Sequence, residues 1–220
     1  MTLLEAIQVR HSVRQYTDQK IDGEILLQLH KIIEECNQES GLNIQLCLDE
    51  PKAFQSRLAR YGKFSNVRNY LALVGKNNSS LDEKCGYYGE KIVLRATQLG
   101  LSTCWVGLTY SKQNIVSVKP DEKLLLVIAI GYGETTGLPH NNKPIEKLCR
   151  VAGSMPDWFR RGLEAAQLAP TALNQQKFRF ELKDNIVNAT AGFGFYAKVD
   201  LGIVKYHFEL GANESDWKWA

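Results

Sequence analysis

The sequence predicts a mixed helix-and-strand chain, and three patterns carry that prediction. Apolar residues recur at helical spacing at Ile25, Leu26, Leu29, Ile32, Ile33 and Cys36, and again at Cys85, Tyr88, Ile92, Ala96 and Leu99. Ile44–Leu48 and Phe178–Leu182 alternate as half-buried strands do. Leu124-Leu-Leu-Val-Ile-Ala-Ile130 is apolar on both faces, as in a central strand covered from both sides.

Taken in order, Leu3–Val9 reads as a short helix that ends at Arg10-His-Ser-Val-Arg14. Asp22 is placed to cap the next helix, with Glu24 in the first turn where a negative charge suits the dipole. The strand Ile44–Leu48 follows. A polar and aromatic loop, Tyr61-Gly-Lys-Phe-Ser-Asn66, leads into the strand Tyr70–Val74. A long helix spans about Asp82–Leu99, and Gly100 closes it as a residue just past a helix end would. Thr103-Cys-Trp-Val-Gly107 reads as a short strand, Ser111–Val118 as a short helix stopped by Pro120, and Leu124–Ile130 as the central strand. Gly131-Tyr-Gly133 and a loop rich in Gly, Pro and Asn lead to Lys143-Pro-Ile. The pattern then restarts with a helix at Trp158–Leu168, a strand at Phe178–Leu182 and a helix at Asp200–Ala212. The aromatic tail Trp217-Lys-Trp219 would form an unusual apolar patch if exposed, so it is expected to pack on the body.

A chain of 220 residues is one large domain or two small, closely packed ones, and buries roughly 70% of its unfolded surface. Hydrophobic content of 44% and charged content of 23% are ordinary for a globular protein. The net charge of +3, with no dense Lys/Arg block, argues against a nucleic-acid partner. Five cysteines, an odd number without CxxC or CxxxH spacing, argue against a zinc site or a disulfide framework and for a reducing compartment. No signal peptide and no run of 18 apolar residues is visible. The expectation is a soluble cytoplasmic protein with no membrane partner and no metal.

Two segments carry candidate chemistry. Arg10-His-Ser-Val-Arg14 puts two guanidinium groups and a hydroxyl in one short segment, and the Arg fork suits phosphate or a planar heterocycle edge. Ala169-Pro-Thr-Ala-Leu-Asn-Gln-Gln176 lies between a helix and a strand; Pro170 ends the helix, and Thr171, Asn174, Gln175 and Gln176 offer donors and acceptors there. Taken singly, the first also reads as a solvated basic patch and the second as an ordinary turn. The second part of the chain resembles a worn copy of the first. Helix-loop-strand Ile25–Leu48 lies over Trp158–Leu182, and Ile92–Gly100 over Ile203–Gly211, which suggests a fused pseudo-dimer with halves of about 1–152 and 153–220.

Together, Arg-x-Ser-x-Arg near the start, Gln98-Leu-Gly-Leu-Ser-Thr-Cys-Trp-Val-Gly107 and Ala-Pro-Thr-x-x-Asn-x-Gln resemble the nitroreductase family of flavoproteins. The late position of the last motif, followed by Asp200-Leu-Gly-Ile-Val-Lys-Tyr-His-Phe-Glu-Leu-Gly-Ala212, is similar to the TM nitroreductase branch. The resemblance covers nearly the whole chain. It implies a single α+β domain over residues 1–220, with a central mixed or antiparallel sheet flanked by helices, and FMN as cofactor. It implies that Arg10, Ser12 and Arg14 hold the phosphate and pyrimidine edge, with His11 contributing backbone. Val106, Gly107 and Leu108 would run past flavin N5, and Trp105 would stack on or beside the ring. Pro170, Thr171, Ala172 and Asn174 would reach over from the second half, with Gln176 supporting their loop.

The implied activity is transfer of electrons from NAD(P)H through FMN to a nitroaromatic, quinone or similar small acceptor, and no protein nucleophile is required. A flavin-binding protein that stores or senses FMN without turnover is the alternative. Gln175-Gln-Lys-Phe178 stands where the family commonly has Gln-Pro-Trp. A late phosphate-binding Arg is replaced by His140-Asn-Asn-Lys143, which leaves Lys143, Lys205 and His207 as candidate substitutes. Cys36–Leu42 lacks the Pro-Thr-x-x-Asn pattern, and the second copy lacks Arg-x-Ser-x-Arg. A monomeric pseudo-dimer with one intramolecular FMN site is therefore expected, with a homodimer as the alternative.

Overall fold

The computed structural model describes residues 1–55, 61–112, 115–213 and 216–220. In chain order its elements are α1 (Leu3–Val9), α2 (Gly23–Ser40), β1 (Gln45–Cys47), β2 (Tyr70–Lys76), α3 (Leu81–Gln98), β3 (Ser102–Val106), β4 (Glu122–Gly131), α4 (Ile145–Leu148), β5 (Cys149–Val151), α5 (Asp157–Gln167), β6 (Phe178–Lys183), β7 (Ile186–Ala191), α6 (Ala197–Ala212) and β8 (Lys218–Trp219). Among the described residues two four-stranded sheets result. The first has the order β1-β2-β4-β3 and is antiparallel throughout; the second, β5-β6-β7-β8, is mixed.

Strand periodicity explains how the first sheet is covered. Leu71, Leu73, Leu126 and Ile128 face one core, while Tyr70, Ala72, Val74, Val127 and Ala129 face another. The predicted central strand is thus buried on both faces. The second sheet buries one face only: Phe178, Phe180, Leu182, Val187 and Ala189 point inward and alternate with more exposed positions.

Helix α3 packs on the first sheet, α6 on the second, and the two helices pack on each other. Their crossing is close because both lack side chains there. A Cβ on Gly86 would lie 2.0 Å from the Val199 carbonyl oxygen, and one on Gly202 2.0 Å from that of Glu83. This double packing is why α3 is buried beyond its predicted apolar stripe, with Gly86, Gly89, Glu90, Val93 and Leu94 also inside. Helix α1 begins with a capping box between Thr2 and Glu5. Asp22 sits at the N-cap of α2, but its carboxylate makes no capping bond.

Helix α2 runs on to Ser40 and stops at Gly41, whose φ of 71° suits a residue without Cβ. Helix α6 starts at Ala197, three residues before the predicted Asp200. The predicted helix Ser111–Val118 falls partly outside the described residues; its described residues, 111–112 and 115–118, are irregular. Strand β7 is not among the predicted elements, although the two-residue turn Asp184-Asn185 before an alternating Ile-Val-Asn-Ala-Thr-Ala run is a hairpin signal. The aromatic tail does pack on the body: Trp217 stacks on Trp158 at 5.9 Å, and Trp219 Nε1 donates to Glu209 at 2.7 Å. All five cysteines are free, and Cys36, Cys85 and Cys104 are buried.

Candidate functional site

After α1 the chain becomes extended and runs beside β3: Val13 N–H donates to the Thr103 carbonyl at 3.0 Å, and Ser12 bridges Thr103 in parallel. Alternation along an extended backbone puts every second side chain on one side. Arg10, Ser12 and Arg14 accordingly line a cleft of about 930 Å³, while Val13 enters the core and His11 lies against Gly137. His11 is not among the lining residues. The Pro170–Asn174 loop lines the same cleft, as do Trp105 to Leu108, at and just past the end of β3. Of the thirteen residues that the resemblance assigned to the site, all but His11 and Gln176 therefore meet at this cleft, whereas the candidate phosphate substitutes Lys143, Lys205 and His207 do not line it.

Gln176 is buried behind the wall and holds the loop together. Its Nε2 donates to the Asn141 carbonyl at 2.8 Å and to Asn174 Oδ1 at 2.7 Å, and its Oε1 accepts from Lys143 N–H at 2.8 Å. Lys143 Nζ donates to the carbonyls of Gln175 and Gln176 at 2.6 and 3.0 Å. These bonds hold Leu173, Asn174 and Gln176 at φ of 53°, 50° and 44°, a left-handed conformation that costs of order 1 kcal/mol or more at each non-glycine residue. Lys143 is thus occupied by the loop itself. Lys205 pairs with Glu83 and lies over the Trp219 ring, and His207 is buried in the core.

Other cleft residues were not candidates. Lys63 and Phe64 come from the aromatic loop before β2, and His140 from the loop after β4. Phe195, Tyr196 and Asp200 come from the start of α6. Tyr196 ties the start of α6 to the end of β3: its hydroxyl donates to the Gly107 carbonyl at 3.0 Å, and its ring lies 2.3 Å from where a Gly107 Cβ would stand. Only the aromatic pair ahead of a helix signalled this residue. Buried Arg10 contributes the most distinctive group, because its Nε and Nη1 are buried without a hydrogen-bond acceptor.

Asp200, 2% exposed, accepts from Ala172 N–H and from Gln175 Nε2, both at 2.9 Å, and so pins the loop from α6. Burial pushes its carboxyl up to about 6, against the lowering effect of those two bonds. The folded carboxyl therefore holds its proton more tightly than the unfolded one. The cost of ionised Asp200 is in full force above pH 6 and lifts as pH falls towards 4. Urea unfolding of wild type and Asp200→Asn at several pH values should show wild type gaining on the variant over that window, by up to about 3 kcal/mol. A difference that stays flat with pH would contradict the assignment.

Among the described residues no helix is long and apolar enough to cross a membrane, and no cluster of three His, Cys, Asp or Glu is placed to hold a metal. No curated protein sequence matches the chain significantly. Among solved structures, a putative nitroreductase from Thermotoga maritima MSB8 superposes with a TM-score of 0.68 at 23% identity, over 96% of this chain and 83% of that one. A putative nitroreductase in complex with FMN from Desulfovibrio desulfuricans has a TM-score of 0.54 at 18% identity, over 71% and 99% of the two chains. One from Exiguobacterium sibiricum 255-15, also in complex with FMN, has 0.54 at 16%, over 67% and 95%. These likenesses establish a shared α+β fold. The family model described as "Putative TM nitroreductase" matches residues 2–212, and the chain therefore belongs to that family of nitroreductase-like oxidoreductases.

Proposed function

We propose that the cleft binds FMN and that the protein is an FMN-dependent NAD(P)H oxidoreductase that passes electrons to a nitroaromatic, a quinone or a similar small acceptor. The observation that carries this reading is the pair of unpartnered buried N–H groups on Arg10, at the wall of a cleft large enough for a cofactor. Buried donors left without acceptors are costly, and a ligand that brings phosphate or carbonyl oxygens to them removes that cost. Arg14 and Lys63 add positive charge around the same cleft, as an anionic group requires, and Ser12 adds a hydroxyl. The FMN complexes among the structural relatives support the choice of ligand.

In this reading Arg10, Ser12 and Arg14 hold the phosphate and pyrimidine edge, with Lys63 as a further cation. Trp105, Val106, Gly107 and Leu108 support the ring along one side, and Pro170, Thr171, Ala172 and Asn174 close over it from the second half of the chain. Bound FMN would supply the redox chemistry, taking a hydride and releasing electrons to the acceptor. The protein's part is to orient the ring, stabilise negative charge at the edge facing the guanidinium groups, and limit water. Leu108, Leu138, Leu173 and Phe195 leave exposed apolar surface around the cleft, which suits an aromatic acceptor.

Both walls come from one chain, so one FMN per chain in an intramolecular site is expected. Purified protein should be yellow, with one extractable FMN per chain. Anaerobic NADH or NADPH should bleach it, and a nitroaromatic or quinone should restore the colour. A colourless protein that takes up no FMN would refute the reading; binding without bleaching would leave a storage or sensing protein. Asn174 Nδ2 donates to the Asn141 carbonyl at 2.8 Å, which fixes the end of the loop. Asn174→Ala should weaken FMN retention by about tenfold in equilibrium dialysis, and unchanged retention would remove the loop from the site.

A further inference from the structure

Behind the cleft wall lies a buried polar cluster that flavin binding does not itself call for. Glu90, in the middle of α3, and His207, on α6, are both completely buried. Glu90 Oε2 accepts from Trp105 Nε1 at 3.0 Å. Its Oε1 lies 2.9 Å from His207 Nε2 and 3.9 Å from Arg10 Nε. His207 Nδ1 lies 3.0 Å from the carbonyl oxygen of Ala165 on α5. The neighbouring Gly89 leaves room for the indole, since a Cβ there would stand 2.6 Å from Trp105 Cη2.

Counting protons gives the cluster its charge. A carbonyl only accepts, so Nδ1 of His207 must carry a hydrogen. At 2.9 Å, Nε2 and Oε1 must share one more. Whether that proton sits on nitrogen or oxygen, the pair holds two protons and is neutral as a whole. The charge of Arg10 therefore has no free counterion in the pair. This accounts for a guanidinium that stands near a carboxylate, makes no hydrogen bond to it, and leaves its buried Nε and Nη1 without an acceptor.

We propose that His207 is a positioning residue for the cleft: by neutralising Glu90 it keeps the Arg10 guanidinium unpaired and available to the oxygens of a bound anion, while Glu90 anchors the Trp105 indole in the cleft wall. The proposal rests on the reading of the cleft as an FMN site. Without His207, a bare Glu90 carboxylate in a low-dielectric interior would draw Arg10 into a direct, hydrogen-bonded ion pair and withdraw it from the cleft. Removing the charge from Glu90 as well would release Arg10 again.

The test uses FMN titration of the flavin-free protein, followed by quenching of flavin fluorescence, together with spectroscopy of the ligand-free wild type. His207→Gln should weaken FMN binding at least about tenfold. The double variant Glu90→Gln/His207→Gln should recover most of that loss. A merely structural role predicts the opposite order, with the double variant no better than the single one, and that result would overturn the proposal. Independently of any variant or ligand, 15N NMR of His207 and the carboxyl infrared band of Glu90 should count two protons on the pair at neutral pH. A neutral imidazole beside an ionised Glu90 would also overturn it. Failure of wild type to bind FMN would instead sink the reading of the cleft, and leaves the proton count to be judged by itself.

Discussion

Gly202→Ala is expected to destabilise the protein by at least about 3 kcal/mol, and to lower the unfolding midpoint by roughly 6–12 °C if the variant folds. The new Cβ would stand 2.0 Å from the Glu83 carbonyl oxygen and 2.6 Å from the Tyr87 amide nitrogen. Both obstacles are backbone atoms of α3, so no rotamer change relieves the contact. The helices would have to separate, and the core they share with both sheets would loosen with them. Gly86→Ala meets the reciprocal obstacle, the Val199 carbonyl, and should behave alike. Lys198→Ala, at an exposed position of α6, is the control and should fall within about 0.5 kcal/mol of wild type. Thermal and urea unfolding measure all three. A Gly202→Ala variant as stable as the control would show that the crossing is not close-packed.

The second large effect concerns the ligand. Arg10→Met should weaken FMN binding by about a hundredfold, since each hydrogen bond between a charged group and a buried partner contributes about 1.5–3 kcal/mol. Methionine keeps an apolar side chain of similar reach in the buried position, so packing is largely retained. Glu90 is not stranded by the change, because His207 and Trp105 already occupy its oxygens. Folding should therefore change much less than affinity, which circular dichroism and fluorescence titration on one sample would separate. Equal binding by wild type and Arg10→Met would remove Arg10 from the site and with it the main support for the proposed function.

Much of the cleft was legible because its residue types advertise themselves. Two arginines and a serine at alternate positions, a Trp-Val-Gly strand end and a Pro-Thr-x-x-Asn loop are specific in combination, and eleven of the thirteen residues they suggested line one cleft. His11 stood inside a motif, but an extended backbone turns every second side chain away. Phe195 and Tyr196 carried no comparable signal, and the stretch that begins at Asp200 resembled the family without giving that carboxylate a role. Their importance arises from where α6 begins relative to a loop some 25 residues earlier in the chain. Lys143 shows the same effect in reverse, since a lysine in a polar loop reads as a free cation until the carbonyls of Gln175 and Gln176 are seen around it.

By itself the sequence determined the elements that periodicity encodes: α1, the long helices, the doubly covered β4 and the alternating β6. It also singled out the polar segments that line the cleft, because those signals are local. The tertiary structure alone decided how the strands divide between two sheets, and that α3 and α6 meet at paired glycines. It also decided that Glu90 and His207, 117 residues apart, meet at 2.9 Å, with Arg10 Nε 3.9 Å from the same carboxylate oxygen. A glycine in a helix or a charged residue on an apolar face looks like a weakness in one dimension. Its role follows from which backbone or partner the chain brings against it, and that is set by long-range packing.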